Sequence, residues 1–183
     1  FLKTITTEQG RCADTLTAIA LAHPLIGFVL RTDGRTVFEL PPDQTAQDRA
    51  LSLLGSELKP EMLTVHSDQH DSRGVSLWGL IGTPAIPRAT NKSQHVFVNG
   101  RAVRDRTIQH AIMQAYRGLI EPSRYPTAVL MLEMSPEAVD VNVHPTKAEV
   151  RFRDSSLVHS VVYHALSRAL READLTPTYF QSG

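Results

Sequence analysis

Val139-Asp-Val-Asn-Val-His-Pro-Thr-Lys-Ala-Glu-Val-Arg-Phe152 is the stretch on which the fold turns. Val139, Val141 and Val143 alternate with Asp140, Asn142 and His144, the period of a strand with one apolar face. Pro145 has no N–H to give to a sheet and ends the strand. Thr146 and Lys147 then fall on a turn, and Val150 and Phe152 resume the buried pattern. This places Lys147 at the tip of a turn anchored by strands on both sides. A lysine there is a compact charge on a long stem, suited to reach a phosphate. A loop lysine taken alone is ordinarily just solvated.

Outward from this stretch, helices and strands interleave. Downstream, Asp154–Ser156 caps a helix running through Arg171. Its Leu157, Val158, Val161, Val162, Ala165, Leu166, Ala169 and Leu170 form one broad apolar stripe. Upstream, Thr127–Met134 is a continuous apolar strand. Before it, Asp105 caps a helix expected over Arg106–Leu119, and His95–Asn99 is a strand ending in a turn at Asn99-Gly100. Met62–His70 and Gly74–Ile81 are strands joined by Asp71-Ser72-Arg73-Gly74, and a loop at Thr83–Ser93 divides the chain. At the front, Glu8–Ala22 reads as a helix stopped by His23-Pro24. Leu25–Leu30 and Thr36–Leu40 form a hairpin about Asp33-Gly34, and Thr45–Leu54 is a second helix closed by Gly55. Paired strands mixed with helices give an α+β fold, a mixed β-sheet with helices packed on one face, not a doubly wound parallel sheet.

Composition narrows the class. The 183 residues are 42% apolar, enough for a packed core, so global disorder is excluded. Formal net charge is zero, which counts against a uniformly basic nucleic-acid coat but leaves local patches open. One cysteine, Cys12, rules out an internal disulfide and a zinc–cysteine cluster and points to the reducing cytoplasm. Cys12 is expected as a small core residue on the apolar face of the first helix, with Leu16, Ile19 and Ala20. No apolar run approaches the ~18 residues of a membrane span. The start at Phe1-Leu2-Lys3, without Met, reads as a piece of a longer chain, and Thr176–Gly183 reads as a tail.

Two further groups bear on chemistry. Asn99-Gly-Arg-Ala-Val-Arg-Asp-Arg106 sets three arginines about a tight turn that leads into a helix N-terminus. Guanidinium groups and free backbone N–H groups are both phosphate ligands, while the competing reading is a solvated basic turn with Asp105 paired locally. His66 and His70 with Asp68 and Asp71 could be imagined as a metal site, but the surrounding pattern is that of a strand ending in a turn, and the site is rejected. His159 and His164 lie five apart on a helix and do not share a face for chelation. No metal is therefore expected. Trp78 and Tyr116 are read as packing residues.

The 139–152 segment resembles the motif that follows the nucleotide-binding domain in MutL-type DNA mismatch-repair proteins of the GHKL ATPase superfamily. The resemblance extends through Asn91–Arg101, Arg104-Asp-Arg106 and Ala111–Tyr116, and Phe1-Leu2-Lys3 is similar to the segment closing the family's first domain. It is dense over Ser93–Phe152 and loose over Leu2–Pro87. It implies a transducer domain over residues 1–171 with a tail at 172–183, and a ribosomal-protein-type fold with a left-handed βαβ crossover. It implies that Lys147 contacts the γ-phosphate of ATP, with Mg2+, held in the preceding GHKL domain of the same chain. It also implies that Arg101, Arg104 and Arg106 contact the DNA backbone. MutS is the partner that the family implies, and the isolated domain is expected to be a monomer. No Asp-x-Gly-x-Gly motif and no general-base glutamate in a family context are present, so this chain alone is not expected to hydrolyse ATP. The alternatives are the transducer of another GHKL machine, such as a type II topoisomerase or chaperone relative, and a stand-alone ribosomal-protein-type nucleic-acid-binding domain.

Overall fold

A computed structural model describes residues 5–141 and 149–173. The chain divides into two compact units, Phe1–Pro60 and Glu61–Gly183.

In the first unit, helix α1 (Ile5–Ala22) is followed by a hairpin of β1 (Phe28–Thr32) and β2 (Arg35–Leu40), then by helix α2 (Ala46–Leu54). The two-residue hairpin turn has φ of 52° at Asp33 and 75° at Gly34. Both central residues are left-handed, as a turn matched to strand twist requires, which is why Asp-Gly stands there. Thr45 caps α2 through its hydroxyl, accepting from the Asp48 N–H at 3.0 Å. The expected first strand starts late, at Phe28 instead of Leu25.

One expectation for α1 fails. Ala20 and Leu21 are buried, but Cys12 and Ile19 are exposed. Within its unit α1 packs against a single helix and a two-stranded hairpin. That is too little surface to cover a full helical stripe, so Cys12 and Ile19 stay exposed.

The hub of this unit is Arg49 on α2, which is fully buried. Its guanidinium donates to the carbonyls of Ala20 (3.0 Å), His23 (3.3 Å), Pro24 (2.9 Å), Ile26 (2.7 Å) and Pro41 (2.8 Å). Its Nε donates to Gln44 Oε1 at 2.5 Å, and the group lies 5.5 Å from the Phe28 ring centre. The carbonyls at the end of α1 have no partner within the helix, and Arg49 supplies donors to them. Burial pulls this guanidinium below its ordinary pKa, yet an arginine stays charged in proteins.

In the second unit a five-stranded sheet has the order β3-β4-β7-β5-β6. Its strands are β3 (Met62–Gln69), β4 (Val75–Gly82), β5 (Gln94–Val98), β6 (Arg101–Val103) and β7 (Ala128–Met134). A single helical turn, α3 (His70–Arg73), joins β3 to β4, where a plain turn is expected from sequence. Strands β5 and β7 are parallel neighbours and the other pairs are antiparallel, so the sheet is mixed. The chain crosses from β5 to β7 by way of β6 and helix α4 (Arg106–Ala115).

Helix α5 (Ser155–Glu172) packs against α4, β3 and β4. Val65, Leu77, Val96, Val98, Leu130 and Leu132 from the sheet form one core with Ile108 and Ile112 of α4 and with Val158, Val162 and Leu166 of α5. The stripe read from sequence on α5 is the one buried. Helix α4 stops short of the expected Leu119. Tyr116 is its cap, and the chain then turns at Gly118, with φ 81°, where the N–H of Leu119 donates to the Tyr116 carbonyl at 2.9 Å.

Two short strands, β8 (Val139–Val141) and β9 (Val150–Phe152), pair antiparallel from Val139↔Phe152 to Val141↔Val150. No helix among the described residues is long and apolar enough to cross a membrane.

Candidate functional site

The arginine-bearing turn is built by a second two-residue hairpin. Asn99 and Gly100 have φ of 50° and 78°, and Val98 pairs with Arg101. The Asn99 side chain accepts from the Met134 N–H at 2.9 Å, and its own N–H donates to the Leu132 carbonyl at 2.9 Å. The turn is therefore tied to β7 as well as to its own strands. The sequence pattern indicates the turn but not β6, because three residues beginning with Arg show no periodicity.

Arg101 opens β6, Arg104 follows it, and Arg106 is the first residue of α4. All three are exposed. Among the described residues none pairs with these guanidiniums. Asp105 is the cap between them: its carboxylate accepts from the Ile108 N–H at 2.9 Å. This satisfies one of the free N–H groups of the first turn and leaves the arginines facing solvent. Three exposed guanidiniums and the positive end of a helix dipole thus follow one another along the edge strand β6 and into α4, groups that attract anions.

Lys147, within Asn142–Ala148, lies outside the described residues. What frames it is described. Val139 and Val150 are buried, and the Arg153 N–H donates to the Ala138 carbonyl at 2.8 Å, closing the base of the β8–β9 pair. Val141 is 42% exposed, so the inward-facing valine row expected from sequence is already leaving the core there. Just ahead, the Ser135 hydroxyl donates to Glu137, and that bond, the backbone and Arg153 hold the Glu137 carboxyl below its usual range. Asp154 caps α5 by accepting from the Leu157 N–H at 2.9 Å.

Tyr116 is fully buried, as its place on the apolar face of α4 predicts, whereas Trp78 is half-buried. Among the described residues no three of His, Cys, Asp and Glu gather as a metal set.

The frame of strand, arginine turn, helix, strand and ribbon defines a class, and comparison with known proteins agrees with it. Residues 50–171 match the family described as DNA mismatch repair protein, C-terminal domain. The chain is 44% identical over 185 residues to the DNA mismatch repair protein MutL of Neisseria meningitidis serogroup C, covering all of this chain and 28% of that protein. Among solved structures, one described as the N-terminal domain of a DNA repair protein superposes with a TM-score of 0.73 at 18% identity, covering 91% of this chain and 54% of that one. The Aquifex aeolicus MutL ATPase domain complexed with ADP gives 0.57 at 17% identity, covering 88% and 50%. The chain belongs to the MutL family of DNA mismatch repair proteins. It spans little more than a quarter of the length of the curated MutL relative it matches.

Proposed function

We propose that this region is the transducer of a MutL protein: it passes the nucleotide state of a preceding ATPase domain to a DNA-binding surface. The transducer proper is the unit that begins at Glu61. One observation carries the reading. Helices α4 and α5 pack on each other beneath one sheet, and each starts where one of the two chemically marked segments ends. Helix α4 begins at Arg106, the last of the three exposed arginines, and α5 begins three residues after β9, which closes the Lys147 segment. A displacement at one segment is thereby delivered to the other through a packed core, which yields little.

In this reading Lys147 meets the γ-phosphate of ATP, bound with Mg2+ in the preceding GHKL domain. At an effective dielectric of ~20 and ~4 Å separation, each unit of charge contributes on the order of 4 kcal/mol before desolvation. The contact exists only while the γ-phosphate does, so hydrolysis releases it. Arg101, Arg104 and Arg106 bind DNA phosphates and carry no sequence preference. The ATPase chemistry resides outside this chain, and the mismatch-recognition protein MutS is the partner expected upstream.

The test uses the full-length parent. Lys147→Ala lowers ATP turnover and abolishes ATP-dependent compaction, measured by steady-state hydrolysis and small-angle scattering, while the melting temperature holds. Unchanged turnover and compaction overturn the role given to Lys147.

A further inference from the structure

His110 and His159 come from different helices, and their rings meet. Nδ1 of His110 lies 3.0 Å from Nε2 of His159. Each is the fifth residue of its helix, α4 and α5 respectively. The ring centres are 5.2 Å apart and the planes are inclined by 34°. His159 is further held by Tyr163, stacked at 6.3 Å between centres, and Tyr163 in turn meets His164 edge-on at 5.1 Å.

We propose that His110 and His159 form a two-histidine clamp for a divalent transition-metal ion, joining α4 to α5 one turn in from their N-termini. Imidazole is a borderline ligand suited to nickel, copper and zinc. With metal–nitrogen bonds of about 2.0–2.1 Å, two nitrogens 3.0 Å apart subtend roughly 95° at the metal. That is the angle of two adjacent positions in a square or octahedral complex. A tetrahedral ion would need the nitrogens to separate to roughly 3.3–3.4 Å.

The present contact brings the two nitrogens within reach of one ion. Two facing ring nitrogens cannot both present lone pairs, so one ring donates its N–H to the other. On metal binding the donor ring carries its proton on its other nitrogen instead, and both lone pairs face the ion. No net proton is exchanged when both rings are neutral. Where a ring is protonated, proton and metal compete for it.

His110 also lines an open groove with Gln114, Arg117 and Glu121, so solvent reaches the metal's remaining positions. Glu121 favours a cation there and Arg117 opposes one. The clamp stands on the helix geometry alone, whatever the role of Lys147. It nevertheless bridges the two helices through which the proposed coupling runs.

The experiment is a titration of the chain with NiCl2 at pH 7.5, followed by calorimetry, with Cys12→Ser in every sample to remove the exposed thiol. One nickel site is expected. His110→Ala and His159→Ala each weaken it by about tenfold or more, a loss at least on the scale of outer-shell changes. His110→Asn weakens it equally while keeping a polar side chain, which separates ligand loss from a packing effect. His164→Ala leaves the affinity unchanged. Absence of a site in the parent, or its survival in the variant lacking both His110 and His159, overturns the proposal.

Discussion

The phenol of Tyr116, at the C-terminal cap of α4, donates to the carbonyl of Gly82 at the end of β4, with the oxygens 2.5 Å apart. It is a buried polar link between the crossover helix and the sheet, and it lies inside the shared core. Removing the hydroxyl leaves that carbonyl without its donor in an apolar setting. Tyr116→Phe therefore destabilises the fold by about 1–3 kcal/mol, the usual cost of an orphaned buried group. Urea unfolding at neutral pH measures it, and a change within error would show that water replaces the missing donor.

The same residue makes the fold sensitive to alkali. Burial pushes the Tyr116 hydroxyl well above its ordinary pKa of 10.0. In the unfolded chain it ionises near that ordinary value, so above it the unfolded state holds fewer protons than the folded one. Stability is then fully present below about pH 10 and falls above it by up to ~1.4 kcal/mol per pH unit for this one group. Unfolding free energies at pH 9 and pH 11 in the parent and in Tyr116→Phe check this. The variant loses the smaller amount over that interval; equal losses would assign the alkaline sensitivity elsewhere.

Arg49 is the analogous hub in the first unit, with six oxygens around one guanidinium. Arg49→Met keeps the stem's volume and strips the donors from the end of α1, its following loop and Pro41. The expected cost is at least ~1–3 kcal/mol, the cost of a buried acceptor left without its donor, because several carbonyls lose theirs at once. Arg49→Lys also fails, because one ammonium cannot span acceptors laid out for a planar fork. Amide hydrogen exchange across α1 and α2 reads the effect locally. Unaltered protection of Ala20–Ile26 in either variant would remove Arg49 from its hub role.

These hubs mark the boundary of what the sequence discloses. Periodicity and capping residues locate the apolar stripe of α5, the caps Asp105 and Asp154, and the hairpin turn at Asp33-Gly34, because each is a local pattern with a local cause. The arginines at 101, 104 and 106 are legible for the same reason: turn, charge and cap are adjacent in the chain. Arg49 is not, since its acceptors lie up to 29 residues away and an arginine on a short amphipathic helix looks like any solvated one. His110 and His159, separated by 49 residues, give no signal either. Spacing sets His159 only against His164, on its own helix. Cys12 and Ile19 mislead because a helical stripe announces an apolar face without announcing whether enough partner surface exists to cover it.

Gly79 tests how tightly the central strand is pinned. A Cβ at this position would stand 2.2 Å from the Val129 carbonyl oxygen and 3.1 Å from the Leu130 Cα, both backbone atoms of β7. Backbone in a sheet cannot step aside as a side-chain tip can. Gly79→Ala thus forces β4 and β7 apart and costs at least the ~1–3 kcal/mol typical of overpacking. Thermal unfolding that matches the parent would show that the two strands tolerate the extra methyl group.

Arg106 separates the DNA assignment from a merely solvated basic turn. It stands at the first position of α4, exposed, beside a cap that Asp105 already fills. Reversing its charge should leave the fold intact, because the guanidinium holds nothing among the described residues. Arg106→Glu is expected to weaken binding of the full-length parent to any duplex, whatever its sequence. The slope of log affinity against log salt should become shallower by about 0.9 for each duplex phosphate that the variant no longer neutralises. Two duplexes of unrelated sequence, measured by anisotropy at several salt concentrations, decide the matter. A parallel drop on both with a shallower slope supports a phosphate contact. A drop on one duplex alone would point to base recognition, and unchanged affinity with an unchanged slope would return Arg106 to the status of a solvated surface charge.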